Sequence, residues 1–270
     1  MNIVGLGNAG CQIAKNFQNY EQYKVFCIDV EDKGYSTFLP LEYQNSHEDY
    51  EKNYKTLDLE ECAGETTFIV CGTGNVSGCS LRVLEQLADL AVTIIYIKPD
   101  AAELSNEQKL KDKVTFNVIQ HYTRSTLFED MYIVSNSKVE SALDTILIKT
   151  YWKDINNIIS STYHMLNVFK NTEPLLSPKP ATARIGTLGF VNYETNKEKL
   201  FYDIQFPRSK NYFYGINEKT LEEDKGTLHN IREFTKQKAS EKIAVSFSIF
   251  STLYENNHIY ATCYASFIQE

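Results

Sequence analysis

The stretch Gly5-Leu6-Gly7-Asn8-Ala9-Gly10 decides how the chain is read. It closes a short apolar run, residues 1–6, and opens a helical pattern over residues 10–17. Glycines at such a junction permit a tight turn, and the start of the helix offers unpaired backbone amides to a phosphate. The next apolar run, residues 25–30 (VFCIDV), carries Asp29 nineteen residues past Gly10, which completes the pattern of a dinucleotide-binding turn. On these residues alone, a purely structural glycine turn is the alternative.

Outward from this turn, strand-type runs recur at residues 67–71, 92–97 and 131–134. Helical patterns lie between them at residues 80–90, with Leu81, Leu84, Leu87 and Ala88 on one face, and at residues 106–124. Strand and helix in strict succession predict a parallel sheet covered on both faces, a Rossmann-like domain over residues 1–137. Residues 138–168 contain neither Pro nor Gly and repeat apolar side chains in two stripes. The pattern predicts one long central helix of roughly 45 Å, buried between two domains and ended by Pro174, Pro178 and Pro180. We take residues 138–173 as this helix and the loop after it. Residues 174–270 then read as a smaller α+β domain, with strands at 185–193, 200–206, 212–216, 243–250 and 258–267 and one helix at 225–239. Asn256-Asn257 between the last two strands predicts an antiparallel pair there.

The composition, 43% hydrophobic and 23% charged over 270 residues, is that of a globular chain with a real core. A net charge of −8 speaks against direct nucleic-acid binding, which needs clustered Lys and Arg. No apolar run is long enough to span a bilayer and the opening residues lack the features of a signal peptide, so a soluble, cytoplasmic protein without membrane insertion is expected. The six cysteines and five histidines form no zinc-type spacing, so no metal bound by the chain is expected.

A second glycine cluster, Cys71-Gly72-Thr73-Gly74-Asn75-Val76-Ser77-Gly78, again follows a buried strand and opens a helix. Two such turns on one parallel sheet can converge on a polyphosphate from two sides; a capped helix start with glycine punctuation is the alternative. With both turns in view, the chain resembles the tubulin/FtsZ superfamily, in a divergent prokaryotic or phage-type form. Gly7-Asn8-Ala9-Gly10-Cys11-Gln12-Ile13 is similar to the first phosphate loop of tubulin, GQCGNQI, and Gly72-Thr73-Gly74 to the core of the shared GGGTGTG signature. Lys98-Pro99, the run Tyr132 to Asn136 and the closing strand with Ala261-Thr262 follow in the order and spacing of FtsZ.

The resemblance implies a two-domain fold with a central helix, and head-to-tail self-association into a filament with GTP or GDP, accompanied by Mg2+, at each junction. It implies nucleotide contacts from Gly7, Asn8, Gly10, Cys11, Gln12, Gly72, Thr73, Gly74, Asn75 and Asn136, with Asp144 in the region that reads the purine. The family's activating loop, asparagine-x-Asp-x-x-Asp/Glu, matches Asn171-Thr172-Glu173-Pro174-Leu175-Leu176 best, which makes Glu173 the candidate catalytic acid. Val76 stands where the family has glycine and Leu176 where it has a second acid, so the resemblance implies weak or absent, assembly-dependent hydrolysis. Two other readings remain open: a degenerate, non-hydrolysing structural subunit, and an NAD(P)-binding oxidoreductase that uses the first turn and Asp29. Adaptor partners are not identified by the sequence.

Overall fold

The apolar runs of the first half become strands that are buried along nearly their whole length. The computed structural model describes residues 1–143, 145, 147–179 and 183–269. The chain divides into a first unit containing Met1–Ser160 and a second comprising Ser161–Ile268.

In the first unit, β1 (Asn2–Leu6), β2 (Lys24–Asp29), β3 (Phe38–Pro40), β4 (Thr66–Cys71), β5 (Val92–Lys98) and β6 (Asp130–Ser135) form a parallel sheet in the order β3-β2-β1-β4-β5-β6. All five residues of β1 and all six of β6 are buried, as expected of strands covered on both faces. The connecting helices are α1 (Gly7–Asn16), α2 (His47–Lys52), α3 (Ser80–Gln86), α4 (Asn106–Arg124) and α5 (Asn136–Ala142). The start of α4 is set by a capping box in which Ser105 and Gln108 satisfy each other's backbone amides. The order of strands reverses between β1 and β4, so the turns leaving their carboxyl ends diverge and leave a crevice, the usual place for a ligand in such a sheet.

The central helix differs from the sequence expectation. It is not continuous: α5 stops at Ala142, Leu143 and Leu147 take extended backbone angles, and α6 (Tyr151–Lys170) starts anew after a 3₁₀ turn at Ile148–Thr150. The β-branched Thr145, Ile148 and Thr150 weaken helical propensity across this break. The Thr150 hydroxyl donates to Asp154 Oδ2 (2.6 Å) in the first turn of α6, where a negative charge favours a new helix start. With 20 residues, α6 is about 30 Å long rather than 45.

The second unit contains β7 (Ile185–Val191), β8 (Glu198–Leu200), β9 (Ser209–Asn217), α7 (Glu218–Glu223), α8 (Thr227–Lys238), β10 (Ala244–Thr252) and β11 (His258–Ala265). Its pairing is mixed. β11 lies antiparallel between β7 and β9, and β8 lies antiparallel to β7. The expected antiparallel pair of β10 and β11 does not form; β10 runs parallel to β9 instead. The helices α7 and α8 carry the chain from β9 to β10, and Ile231 and Phe234 of α8 cover Tyr212, Tyr214 and Ile249 of the sheet. That apolar burial outweighs the local tendency of Asn256-Asn257 to make a hairpin; Asn257 Oδ1 accepts instead from Asn217 N at the end of β9 (2.8 Å). Residues 200–206 were expected as a strand, but pairing ends at Leu200 and the fully buried Phe201 anchors an irregular segment. From α6, Phe169 stacks on Phe250 with ring centroids 4.5 Å apart. Among the described residues no helix is long and apolar enough to cross a membrane.

Candidate functional site

Both glycine turns leave the carboxyl ends of neighbouring strands, β1 and β4, and line one cleft of about 570 Å³, within the range of small-molecule sites. From the first turn come Gly7, Asn8 and Ala9, and from the second Thr73, Gly74, Asn75, Val76 and Ser77. Gly7 turns the chain into α1 with φ +68, and the first turn of α1 carries neither a side-chain cap nor an acid, which leaves its amides available to an anion.

The second turn is held by side chains. Ser77 Oγ lies 2.9 Å from Gly72 O and 2.7 Å from Gly74 O. Asn75 accepts from Lys111 Nζ of α4 (2.7 Å) and donates to Asn45 O (3.1 Å). Behind the turn, Lys98 Nζ pairs with the buried Asp112 at 2.9 Å, and Tyr96 donates to the same carboxylate at 2.8 Å. A Cβ on Gly72 would stand 1.9 Å from the Tyr96 hydroxyl, so this glycine is required by the packing behind the cleft.

No family model matches the chain, and no curated protein matches it in sequence. Solved structures match in fold. CetZ from Methanosaeta thermophila strain DSM 6194 has a TM-score of 0.70 at 13% identity, over 99% of this chain and 86% of that one. A GTPγS-form protofilament of Bacillus thuringiensis serovar israelensis TubZ gives 0.68 at 13%, over 97% and 86%. The empty FtsZ dimer of M. jannaschii gives 0.65 at 12%, over 97% and 87%. The chain has the tubulin/FtsZ fold.

Within this fold the expected site residues separate into two groups. Gly7, Asn8, Thr73, Gly74 and Asn75 line the cleft together. Gly10, Cys11, Gln12 and Gly72 lie outside its lining. A Cβ on Gly10 would be 2.3 Å from Ile69 O, so this glycine lets α1 press against β4. Cys11 is fully buried and its thiol donates to Gly5 O (3.3 Å); the neighbouring Cys27 thiol and burial push its pKa far up, so it is a neutral tie between helix and sheet. Gln12 donates to the Tyr35 hydroxyl (3.2 Å). Asn136 is half-buried as the first residue of α5, and Asp144 lies outside the described residues. Glu173 follows α6 with its side chain 92% exposed and ion-paired to Lys179 at 3.1 Å. Leu176, at the place of the second acid, is tied by backbone hydrogen bonds to Ile249 of β10.

The cleft also draws on Val30, Glu31, Lys33, Tyr43, Gln44 and Tyr50, which the sequence reading did not assign, and on Asp29. Asp29 is buried, and desolvation raises its carboxyl above the ordinary range against a hydrogen bond from Val30 N (2.8 Å). Tyr50 arrives on α2, which Ser46 caps by accepting from Asp49 N (3.1 Å). Ser46-x-x-Asp49 was a legible helix start, whereas the loop bearing Lys33, Tyr43 and Gln44 has no periodic signal.

Val76 has a particular position. Its Cβ and Cγ1 lie 3.7 Å from where a Cβ on Gly7 would be, so a branched apolar side chain stands between the two turns. Among the described residues no three His, Cys, Asp or Glu side chains gather as metal ligands.

Proposed function

We propose that this cleft binds a guanine nucleotide and that the chain assembles head to tail into filaments, as a cytoskeletal protein of the tubulin/FtsZ kind. The observation that carries the reading is the convergence of two glycine turns, with the free amides of α1, on one cleft. Structural neighbours support it: TubZ is described in GTPγS-form and GDP-form protofilaments and in two- and four-stranded filaments. Hydrolysis is expected to be slow or absent. Phosphoryl transfer relies on positioned charge and an oriented water, and Glu173 is the one acid in the candidate loop, engaged by Lys179 beside the rigid Pro174. Loss of a positioned base costs about 10²- to 10⁴-fold in rate.

Calorimetric titration with GTP, GDP and NAD tests the site, and electron microscopy at rising protein concentration tests assembly. Asp29 lining the same cleft is the observation that favours the oxidoreductase alternative. NAD binding without response to either guanine nucleotide would establish that alternative, and a strictly monomeric protein with and without nucleotide would remove the filament reading. Phosphate release that increases with assembly and is lost in Glu173→Ala would support the catalytic assignment; brisk turnover by dilute monomer would refute it.

A further inference from the structure

The cleft is unevenly charged. Among the described residues that line it, Asp29 and Glu31 are acids and Lys33 is the one cation. A nucleotide entering here brings its phosphates toward two carboxylates, and the amides of α1 offer only partial positive charge against them. Lys33 Nζ stands 2.9 Å from Asn8 Oδ1, at the first turn of α1, and 3.8 Å from Glu31. Resting on the reading of the cleft as a nucleotide site, we propose that Lys33 is the phosphate-neutralising residue of that site: its ammonium leaves Asn8 and Glu31 and binds the terminal phosphate oxygens held over the α1 amides.

The loop is built for this. Asp32 Oδ1 accepts from Gly34 N (2.9 Å) and Tyr35 N (3.1 Å), closing a tight turn around Lys33. Lys15 of α1 donates to Lys33 O (3.0 Å), and Gln12 of α1 donates to the buried Tyr35 (3.2 Å). The backbone of Lys33 is thus tethered to the helix whose amino end faces the cleft, while its ammonium is held by the neutral Asn8 amide and a long contact to Glu31. Its present partners are weak competitors, since Asn8 is neutral and the Glu31 pair is exposed and separated by nearly 4 Å. A phosphate offers a charge-assisted bond to a compact ammonium with rotatable donors. This also gives Gln12 a part as a positioning residue that holds the loop.

The test is calorimetric titration of the full chain with GTP and GDP, at low and high salt, for the wild type, Lys33→Met and Lys33→Arg, with thermal melting of each free protein. Lys33→Met should melt like the wild type yet bind both nucleotides about tenfold more weakly, with a shallower loss of affinity as salt rises. Lys33→Arg should recover most of the affinity. Unchanged affinity and salt dependence in Lys33→Met would overturn the assignment while leaving the nucleotide reading in place. Weakened binding with unchanged salt dependence and no recovery in Lys33→Arg would also overturn it, as a loss of shape rather than charge. A wild type that binds neither nucleotide would remove the assignment together with the reading beneath it.

Discussion

The two glycine turns look alike in sequence and are held by different physics. The first is short and direct: the strand ends, Gly7 turns the chain, and α1 begins with its amides open to the cleft. Its geometry depends on close backbone approach, with Gly10 pressed against Ile69 of β4. The second passes through a 3₁₀ turn, Asn75–Cys79, before α3 starts, and is pinned through the Asn75 side chain, which donates to the backbone carbonyl of Asn45 and accepts from the Lys111 ammonium. A glycine in the first turn makes room for a neighbouring strand, and Gly72 in the second makes room for Tyr96, whereas Gly74 meets nothing within 4 Å. In these turns Gly10 and Gly72 relieve crowding, whereas Gly7 and Gly74 line the cleft.

The largest expected effect breaks the first turn. Gly10→Ala places a methyl 2.3 Å from a backbone oxygen that cannot rotate away, so urea unfolding should show a loss of about 3 kcal/mol or more. Gly74→Ala, facing open space at φ −80, should change stability by less than about 0.5 kcal/mol. Equal losses at the two positions would erase the contrast drawn between them.

Next comes the support behind the second turn. Lys98→Met strips the cation from Asp112, whose side chain is 11% exposed, and leaves Tyr96 as a donor to it. Breaking a buried pair from one side is costly, and the retained tyrosine should limit the loss to about 3 kcal/mol by the same urea measurement. A loss no larger than that of a surface substitution would mean that the pair does not support the turn.

Val76→Ala sharpens the comparison at the cleft itself. Shortening the side chain that stands between the turns should raise nucleotide affinity several-fold, about 1 kcal/mol, in a calorimetric titration. Unchanged or weaker binding would show that the branched side chain is part of the fit.

The smallest effect concerns pH. His47, on the α2 helix that packs against the second turn, has its pKa lowered from the ordinary 6.5, first by burial and also by Lys111, against the opposing pull of Glu48 and Glu51. Folding then favours the neutral ring. Its contribution to stability is complete above the unfolded value and is lost as pH falls through the lower folded value. Urea midpoints should decline as the pH drops below 6.5, with a shallower decline in His47→Gln. Identical slopes in the two proteins would show that His47 does not titrate on folding.

What the sequence determined by itself was local and periodic. Strands buried on both faces appear as continuous apolar runs, so β1, β2, β4, β5 and β6 were legible to within a residue or so. The alternation of strand and helix was enough to expect the parallel sheet of the first unit, and the resemblance of the glycine turns and their order to tubulin and FtsZ supplied the rest of the fold expectation. Tertiary structure decided what depends on distant partners. Pairing of β10 with β9 rather than with β11 follows from the packing of α8 on the sheet, which outweighs a local turn signal. The break before α6 involves a hydroxyl and carboxylate pair at the new helix start that no apolar stripe reveals. Seven of the seventeen residues that line the cleft come from residues 29–50, a largely polar stretch without periodicity, and the loop that brings Lys33 to the first turn is tied to α1 by Lys15 and Gln12. Periodicity records how a segment buries itself, whereas a binding cleft is made where segments far apart in the chain bring polar groups together, and only the folded chain sets that meeting.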